Sequence, residues 1–219
     1  MGDRYCDFAE LEKAEREGTH FRRFSKRRAS NIAIIAPHGG TIEPGTSEIA
    51  LAIAEDDFQF YCFEGLVDAK HERFHITSTR FDEPQCLALI KPCDVVIAVH
   101  GLEGSSKKVD VGGMDIWLRD QISRKIGEAG FGSQTMSTGN HAATNRRNIC
   151  NLGKMGRGVQ LEITRGLRDA FLVSDPKRSW VISAACDSVG VAKHRRRIPC
   201  GPISPEPSMP AKGCGIQAI

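Results

Sequence analysis

Two continuous apolar runs, each broken by a histidine, constrain the fold of this chain more than any other feature. They are "NIAIIAPHGG", which begins at Asn31, and "CDVVIAVHG", which begins at Cys93. Each run is too short for an isolated helix and is typical of a strand that is buried on both faces of a parallel sheet. The amphipathic helical patterns "TSEIALAIAED" and "EPQCLALIKP" lie between them. The alternation predicts one α/β domain with a mixed, mostly parallel sheet flanked by helices.

The remaining elements follow from the same patterns. Residues 7–17 predict a surface helix with little apolar surface to anchor it, and the basic stretch after it is expected to be solvated. Strands are predicted for "FQFYCFEGL", for "RFHITST" and for Gly158 to Ile163, and helices for "GGMDIWLRDQISRKIGEAGFG" and for the segment after Ile163. The predicted organisation is a polar and basic N-terminal segment (1–29), the α/β domain (30–197) and a Pro/Gly-rich tail (198–219).

Composition excludes several classes of protein. The 219 residues carry a net charge of +3, which is too small to indicate nucleic-acid binding by itself. The eight cysteines form no Cys-x-x-Cys pair and are expected to be reduced and mostly buried. No apolar run approaches the roughly 20 residues that span a bilayer, so no membrane partner is expected. The polar N-terminus favours a cytoplasmic location, because the twin arginines of "FRRFSKRRASNIAIIAP" precede too short an apolar run for an export signal.

Four residues at predicted strand ends have the side chains of a metal site. His38 and Glu43 follow the first buried strand, His100 ends the second, and Glu162 ends the strand "GVQLE". Ligands bind at the carboxyl ends of the strands in open sheets of this class. Two histidines and a glutamate are a familiar zinc ligand set that leaves a position for water, and a second glutamate nearby is suited to accept a proton from that water. The alternative interpretation is a structural histidine at each strand end, because His-x-x-x-x-Glu also occurs by chance.

The local sequence around His38 favours convergence of its side chain with that of Glu43. Gly39 and Gly40 permit a sharp turn directly after His38. Pro44 restricts Glu43 to an extended conformation. We therefore expect both side chains to approach one point.

Four blocks of sequence, in this order, resemble the poly-gamma-glutamate hydrolase family, which also carries an older label as a phage-related replication protein. They are "APHGGTIEPGTSEIALAIA", "FHITSTRFDEP", "VIAVHGLEG" and "GRGVQLEITRGLRDAF", and the resemblance extends over residues 30–172. It implies a zinc-dependent peptidase with a fold similar to the zinc carboxypeptidases, acting on the gamma-linked glutamate polymer. By this resemblance His38, Glu43 and His100 bind one zinc ion and Glu162 is the general base. A phage-derived chain of this kind would be released on cell lysis.

Arginines are candidates for binding the carboxylates of such a substrate, because the planar guanidinium matches a carboxylate in a bidentate manner. In each case the alternative is a solvated surface arginine. The family commonly has Asn-Arg after an Asn-Ile-Cys stretch, whereas this chain has Leu152 in "NICNLGK", so the neighbouring "NRR" would have to supply the charge from a shifted position. The candidates are Arg80, Arg146, Arg147, Arg165 and Arg168.

The other histidines have simpler interpretations. His75 of "FHITST" is a candidate to reach the site from its own predicted strand, but a hydrogen-bonded structural role is favoured. His71 and His141 lie in polar segments and are expected to be exposed.

Three functions remain open on the sequence. The leading hypothesis is a zinc metallohydrolase that cleaves amide bonds of gamma-linked polyglutamate or a related acidic amide. An amidase for small N-acylated glutamate derivatives is a close variant. A non-catalytic nucleic-acid-binding protein is the third, supported by "RRFSKRR" and "HRRR" but lacking interleaved aromatic residues or a recognisable DNA-binding motif. The sequence carries no signal for an oligomeric state.

Overall fold

The computed structural model describes residues 3–67 and 73–174, and the predicted Pro/Gly-rich tail lies outside these residues. The described part contains five α-helices and seven strands. The helices are α1 (Phe8–Ala14), α2 (Thr46–Ala54), α3 (Pro84–Ile90), α4 (Ile116–Glu128) and α5 (Arg165–Ser174). The strands are β1 (Phe21–Lys26), β2 (Ile32–Gly40), β3 (Gln59–Gly65), β4 (Val95–Leu102), β5 (Lys108–Gly112), β6 (Gly132–Thr135) and β7 (Val159–Thr164).

All seven strands form one sheet in the order β1-β3-β2-β4-β7-β5-β6. Its centre is parallel, because β3, β2, β4 and β7 run in the same direction. The outer strands introduce the antiparallel pairs, β1 with β3 and β5 with β7. The predicted single α/β domain with a mixed, mostly parallel sheet and flanking helices is confirmed.

Apolar side chains cover both faces of the sheet. Successive residues of β2 point to opposite faces, so that Ile34 packs in one hydrophobic cluster and Ile35 in the other. The Ile34 cluster also contains apolar residues of α2, α4 and α5, whereas the Ile35 cluster contains residues of α1 and α3. Four of the described cysteines are buried and free, as expected.

Side-chain caps define where the helices begin. Glu83 accepts hydrogen bonds from the N–H groups of Gln85 and Cys86 at the start of α3, and Pro84 follows as the first helical residue. Asp115 accepts one from the N–H of Leu118 at the start of α4. The cap of α4 lies at the amino end of β7, away from the carboxyl ends of the parallel strands, because the Asp115 N–H donates to the Gly158 carbonyl.

The N-terminal segment differs from its prediction. The helix α1 is anchored, because Phe8 and Leu11 are buried and the ring of Phe8 contacts those of Phe21 and Phe63 edge-on. The basic stretch after it contains the strand β1, in which Phe21 alone is fully buried. This edge strand carries the exposed Arg22 and the half-buried Arg23 and lacks the apolar run of a buried strand, so the sequence pattern did not indicate a strand at residues 21–26. The short strands β5 and β6, of which β6 forms the other edge of the sheet, also lack such a run.

The prediction of a strand for "RFHITST" is wrong. Residues 73–79 form turns and irregular backbone, with no strand. Their polar backbone groups are bound by side chains and by a distant loop: the Thr77 N–H donates to Asp3, the Ile76 carbonyl contacts His38, and the Ser78 carbonyl accepts from the Ile149 N–H. The segment thereby crosses the end of the sheet at the point where the candidate site lies.

The described helices can be compared with the length that a membrane span requires. Among the described residues, no helix combines the length and the apolar character needed to cross a bilayer.

Candidate metal centre

The carboxyl ends of the parallel strands bring three of the predicted site residues to one rim. His38 lies near the end of β2 and His100 near the end of β4. Glu162 of β7 is paired in register with His100. The chain thus places these side chains on adjacent strands although they are far apart in sequence.

The loop after β2 folds back so that Glu43 returns to His38. The Glu43 N–H donates to the His38 carbonyl at 2.9 Å, and the Thr46 hydroxyl donates to the Glu43 carbonyl at 2.8 Å. Gly40 turns the chain with φ +63°, and a Cβ there would lie 2.2 Å from the Gly65 carbonyl oxygen. Only glycine fits this close approach, in agreement with the turn expected from the sequence.

Three donor atoms converge at the rim. The Nδ1 atom of His38 lies 3.2 Å from Oε1 of Glu43 and 3.1 Å from Nδ1 of His100. The Nδ1 atom of His100 lies 3.8 Å from Oε2 of Glu43. Tetrahedral zinc with bonds of about 2.0–2.2 Å requires ligand atoms about 3.3–3.6 Å apart. The donor types and their spacing therefore fit a zinc ion.

The outer partners of the three side chains also fit a metal site. The Nε2 atom of His38 lies 2.9 Å from the Ile76 carbonyl oxygen, so Nε2 is the donor and Nδ1 keeps its lone pair. The Nε2 atom of His100 faces the Ser78 hydroxyl at 3.4 Å, and the Gly101 N–H donates to Oε2 of Glu43 at 2.7 Å. Metal-binding histidines usually donate their second N–H in this way, because that bond fixes the tautomer and the ring orientation.

Burial and neighbouring charge set the ionisation of these histidines. Burial of His100, together with the adjacent His38, lowers its pKa to about 3. Burial opposes the charging of His38, but the Glu43 carboxylate and the Ile76 carbonyl outweigh it and raise the pKa of His38. His100 is therefore neutral at ordinary pH, as a metal ligand must be.

His75 lies beside this cluster, which the sequence did not indicate strongly. Its ring centroid is 4.1 Å from that of His38, and one donor atom each of His38, Glu43 and His75 lie within 4.8 Å of one another. Its Nδ1 atom is 2.6 Å from Oδ1 of Asp3. The structural interaction favoured for His75 is present, and the same bond holds its ring against the candidate centre. Asp3 gave no signal in the sequence, because it lies in a polar segment far from every site residue.

Glu162 has a different environment from Glu43. Its Oε1 accepts a hydrogen bond of 2.8 Å from the Gln160 side-chain amide, whose oxygen accepts one of 2.8 Å from Asn148. Burial, followed by the charge of Glu43, raises the pKa of Glu162 to about 8. The Gln160 amide holds this carboxyl group in position, and the raised pKa favours its protonated form near neutral pH.

The predicted arginines are distributed unevenly. Arg80 is half exposed and forms an ion pair with Asp3 beside His75. Arg146 and Arg147 are exposed in the loop that leads to Asn148, and so connect in sequence to the hydrogen-bond chain of Glu162. Both side chains are therefore accessible to solvent.

The two arginines of α5 have opposite surroundings. Arg165 is exposed and pairs with Asp169 one turn later at 2.7 Å. Arg168 is only 1% exposed, and its guanidinium donates to main-chain carbonyls. Arg168 is therefore neither a solvated surface residue nor a group available to substrate, and both interpretations made from the sequence are wrong for it.

Of the two histidines that were expected to be exposed, one lies among the described residues. His141 is part-exposed, and its Nδ1 atom lies 3.2 Å from Oδ2 of Asp110. His71 lies outside the described residues.

The fold and the rim together define a class: an α/β protein with a candidate metal centre at the carboxyl ends of its parallel strands. Residues 5–179 match the family model of poly-gamma-glutamate hydrolase, and the chain belongs to this family. The UPF0714 protein YmaC of Bacillus subtilis (strain 168) is 36% identical over 170 residues, which cover 77% of this chain and 72% of YmaC. The resemblance recognised from residues 30–172 is confirmed and extends further toward the N-terminus.

Solved structures agree with this assignment. The structure of a bacteriophage poly-gamma-glutamate hydrolase has a TM-score of 0.78 and 30% sequence identity, over 85% of this chain and 96% of that chain. YndL in an apo, zinc-free form gives the same TM-score, identity and coverage. Family membership and these structural neighbours support a hydrolase.

Proposed function

We propose that this chain is a zinc-dependent hydrolase that cleaves amide bonds of gamma-linked polyglutamate or of a related acidic amide. One observation carries the proposal: the Nδ1 atoms of His38 and His100 and the carboxylate of Glu43 converge at 3.1–3.8 Å, with Glu162 in register beside His100. Membership in the poly-gamma-glutamate hydrolase family supports the choice of reaction.

In this proposal each residue of the rim has one task. His38, Glu43 and His100 hold a single zinc ion, which when bound polarises the scissile carbonyl and acidifies water. Glu162 in its ionised form, which the charge of a bound zinc ion would favour over the protonated form that burial favours, accepts the proton of the attacking water on a carboxylate oxygen and returns it to the nitrogen of the leaving amine. The Gln160 amide orients Glu162 for both transfers, because it is bonded to Oε1 at 2.8 Å.

The proposed substrate carries carboxylates at every residue, which requires cations near the rim. Arg146 and Arg147 are the best placed of the exposed candidates, because their loop continues into Asn148 and the chain that leads to Glu162. Arg80 lies beside His75 but is paired with Asp3, and Arg165 is paired with Asp169, so both would have to exchange a carboxylate partner for the substrate. We assign substrate binding first to Arg146 and Arg147.

The nucleic-acid alternative loses part of its basis in the structure. The basic run that follows α1 is largely neutralised, because Arg22 pairs with Glu64 and Arg23 contacts Glu17 and Glu83. Phosphate binding would require these ion pairs to open.

Cleavage of two isomeric polymers tests the proposal. The zinc-loaded protein is incubated with gamma-linked and with alpha-linked polyglutamate, and product sizes are compared over time. We expect shortening of the gamma-linked polymer, its abolition by a chelator, and its restoration by added zinc. Release of glutamate alone would indicate exo cleavage, and a ladder of oligomers would indicate endo cleavage. Zinc-loaded protein that cleaves neither the polymer nor N-acylated glutamates would refute the proposed reaction.

A further inference from the structure

A buried arginine of α5 links the three backbone segments that carry the candidate centre. The Nε atom of Arg168 donates to the Pro44 carbonyl at 2.8 Å, and Nη1 donates to the Leu102 carbonyl at 3.1 Å and to the Ile163 carbonyl. The residue is 1% exposed and is among the largest fully buried side chains in the described part of the chain.

Each of the three carbonyls comes shortly after a residue of the proposed centre. One guanidinium therefore joins the exits of the loop after β2, of β4 and of β7. The pairs are Pro44 after Glu43, Leu102 two residues after His100, and Ile163 after Glu162.

The packing at Gly101 shows how closely the guanidinium approaches the centre. A Cβ at Gly101 would lie 2.5 Å from Nη1 and 2.7 Å from Cζ of Arg168, and 2.9 Å from Cβ of Glu43. The N–H of the same glycine donates to the Glu43 carboxylate. Gly101 thus touches both the guanidinium and the proposed ligand, and a side chain at this position would displace one of them.

Burial of the Arg168 guanidinium costs desolvation free energy, which its hydrogen bonds must offset. A cation removed from water is tolerated only when its donors are satisfied, here by carbonyl oxygens. The planar fork of arginine reaches several acceptors at fixed angles, which the single ammonium group of lysine does not. Arg165 on the same helix shows the ordinary alternative, an exposed pair with Asp169.

We propose that Arg168 is a positioning residue, which fixes Glu43, His100 and Glu162 relative to one another by binding the carbonyls that follow them in the chain. This inference rests on the proposed zinc site. It predicts that Arg168 controls zinc affinity in the folded protein, and not only the stability of the fold.

Zinc affinity of matched variants tests the inference. The dissociation constant for zinc is measured by competition with a chromophoric chelator for wild type, Arg168→Met, Arg168→Lys and the control Arg165→Met. Circular dichroism and urea unfolding identify conditions in which each protein is folded. We expect Arg168→Met to bind zinc about 10- to 100-fold more weakly, the range typical of partners just outside a metal's ligands. Arg168→Lys should fall between Arg168→Met and wild type, and Arg165→Met should match wild type.

The possible results separate this inference from the proposed function. Folded Arg168→Met with wild-type zinc affinity would overturn the positioning role, since a purely structural residue lowers only the free energy of unfolding. If Arg168→Met does not fold, the same decision is made on Arg168→Lys, for which unchanged affinity overturns the inference. Wild-type protein that binds no zinc would instead refute the proposed function on which the inference rests.

Discussion

Two glutamates lie at the same rim, and their surroundings differ. Glu43 is contacted by His38, accepts the Gly101 N–H and faces His100, so it sits among the donors that a metal requires. Glu162 is held by the Gln160 amide, and burial with the charge of Glu43 raises its pKa. The comparison teaches that the neighbours of a carboxylate, and not its position on the sheet, distinguish a proposed ligand from a proposed base.

The largest effect is expected from Glu43→Gln. Loss of the anionic ligand should weaken zinc binding by more than about 100-fold, beyond the range of outer partners, and activity should fall with it. A chelator-competition titration measures the affinity, and Glu48→Gln, at an exposed position of α2, is the matched control. Unchanged zinc affinity in Glu43→Gln would remove Glu43 from the ligand set.

Glu162→Gln should separate chemistry from metal binding. The amide cannot accept a proton from water, so kcat should fall by about 100- to 10,000-fold, while the zinc dissociation constant stays within about threefold of wild type. Steady-state kinetics on gamma-linked polyglutamate and the same titration provide the two readouts. If Glu162→Gln lost zinc affinity together with activity, Glu162 would be a zinc ligand like Glu43 and not the general base.

Gln160→Met should lower kcat by less than Glu162→Gln does, and it should leave zinc binding unchanged. The substitution removes the hydrogen bond to the Glu162 carboxylate, and bonds to charged groups contribute about 1.5–3 kcal/mol. If part of that energy orients the carboxylate, kcat falls about tenfold with KM and zinc affinity unchanged. A proportional loss of zinc affinity would show that Gln160 acts on the ligands instead.

The histidines and the glutamate proposed as ligands were accessible to sequence reasoning because each follows a buried apolar run, and the parallel centre of the sheet was predictable for the same reason. Other parts were not. The strand β1 contains two consecutive arginines and only two apolar residues, and the His75 ring is held beside the centre by Asp3, which lies 72 residues away in the chain. Arg165 and Arg168 lie three positions apart on α5, and the sequence pattern does not indicate which of the two side chains is buried. Residues whose partners come from distant segments require the tertiary structure.

The smallest effect concerns a carboxylate away from both glutamates of the rim. Glu15 is bound by Arg73 and Tyr5, and these bonds lower its pKa from 4.5 to about 2. A lowered folded-state pKa stabilises the protein above the ordinary pKa, and this stabilisation is lost as the pH falls through 2. The free energy of unfolding of Glu15→Gln should therefore be about 1–3 kcal/mol lower than that of wild type at pH 7. The difference should vanish toward pH 2. Urea unfolding at several pH values measures it, and the exposed Glu12→Gln should show little change; a constant difference at all pH values would contradict the assignment.

The central claim is that His38, Glu43 and His100 bind one zinc ion. An anomalous difference map, collected at the zinc edge from crystals grown with zinc, tests it most directly. We expect one peak about 2.0–2.2 Å from Nδ1 of His38, from the Glu43 carboxylate and from Nδ1 of His100, with Glu162 outside bonding distance. A peak bound to His75 in place of His100, or no peak at this rim, would contradict it.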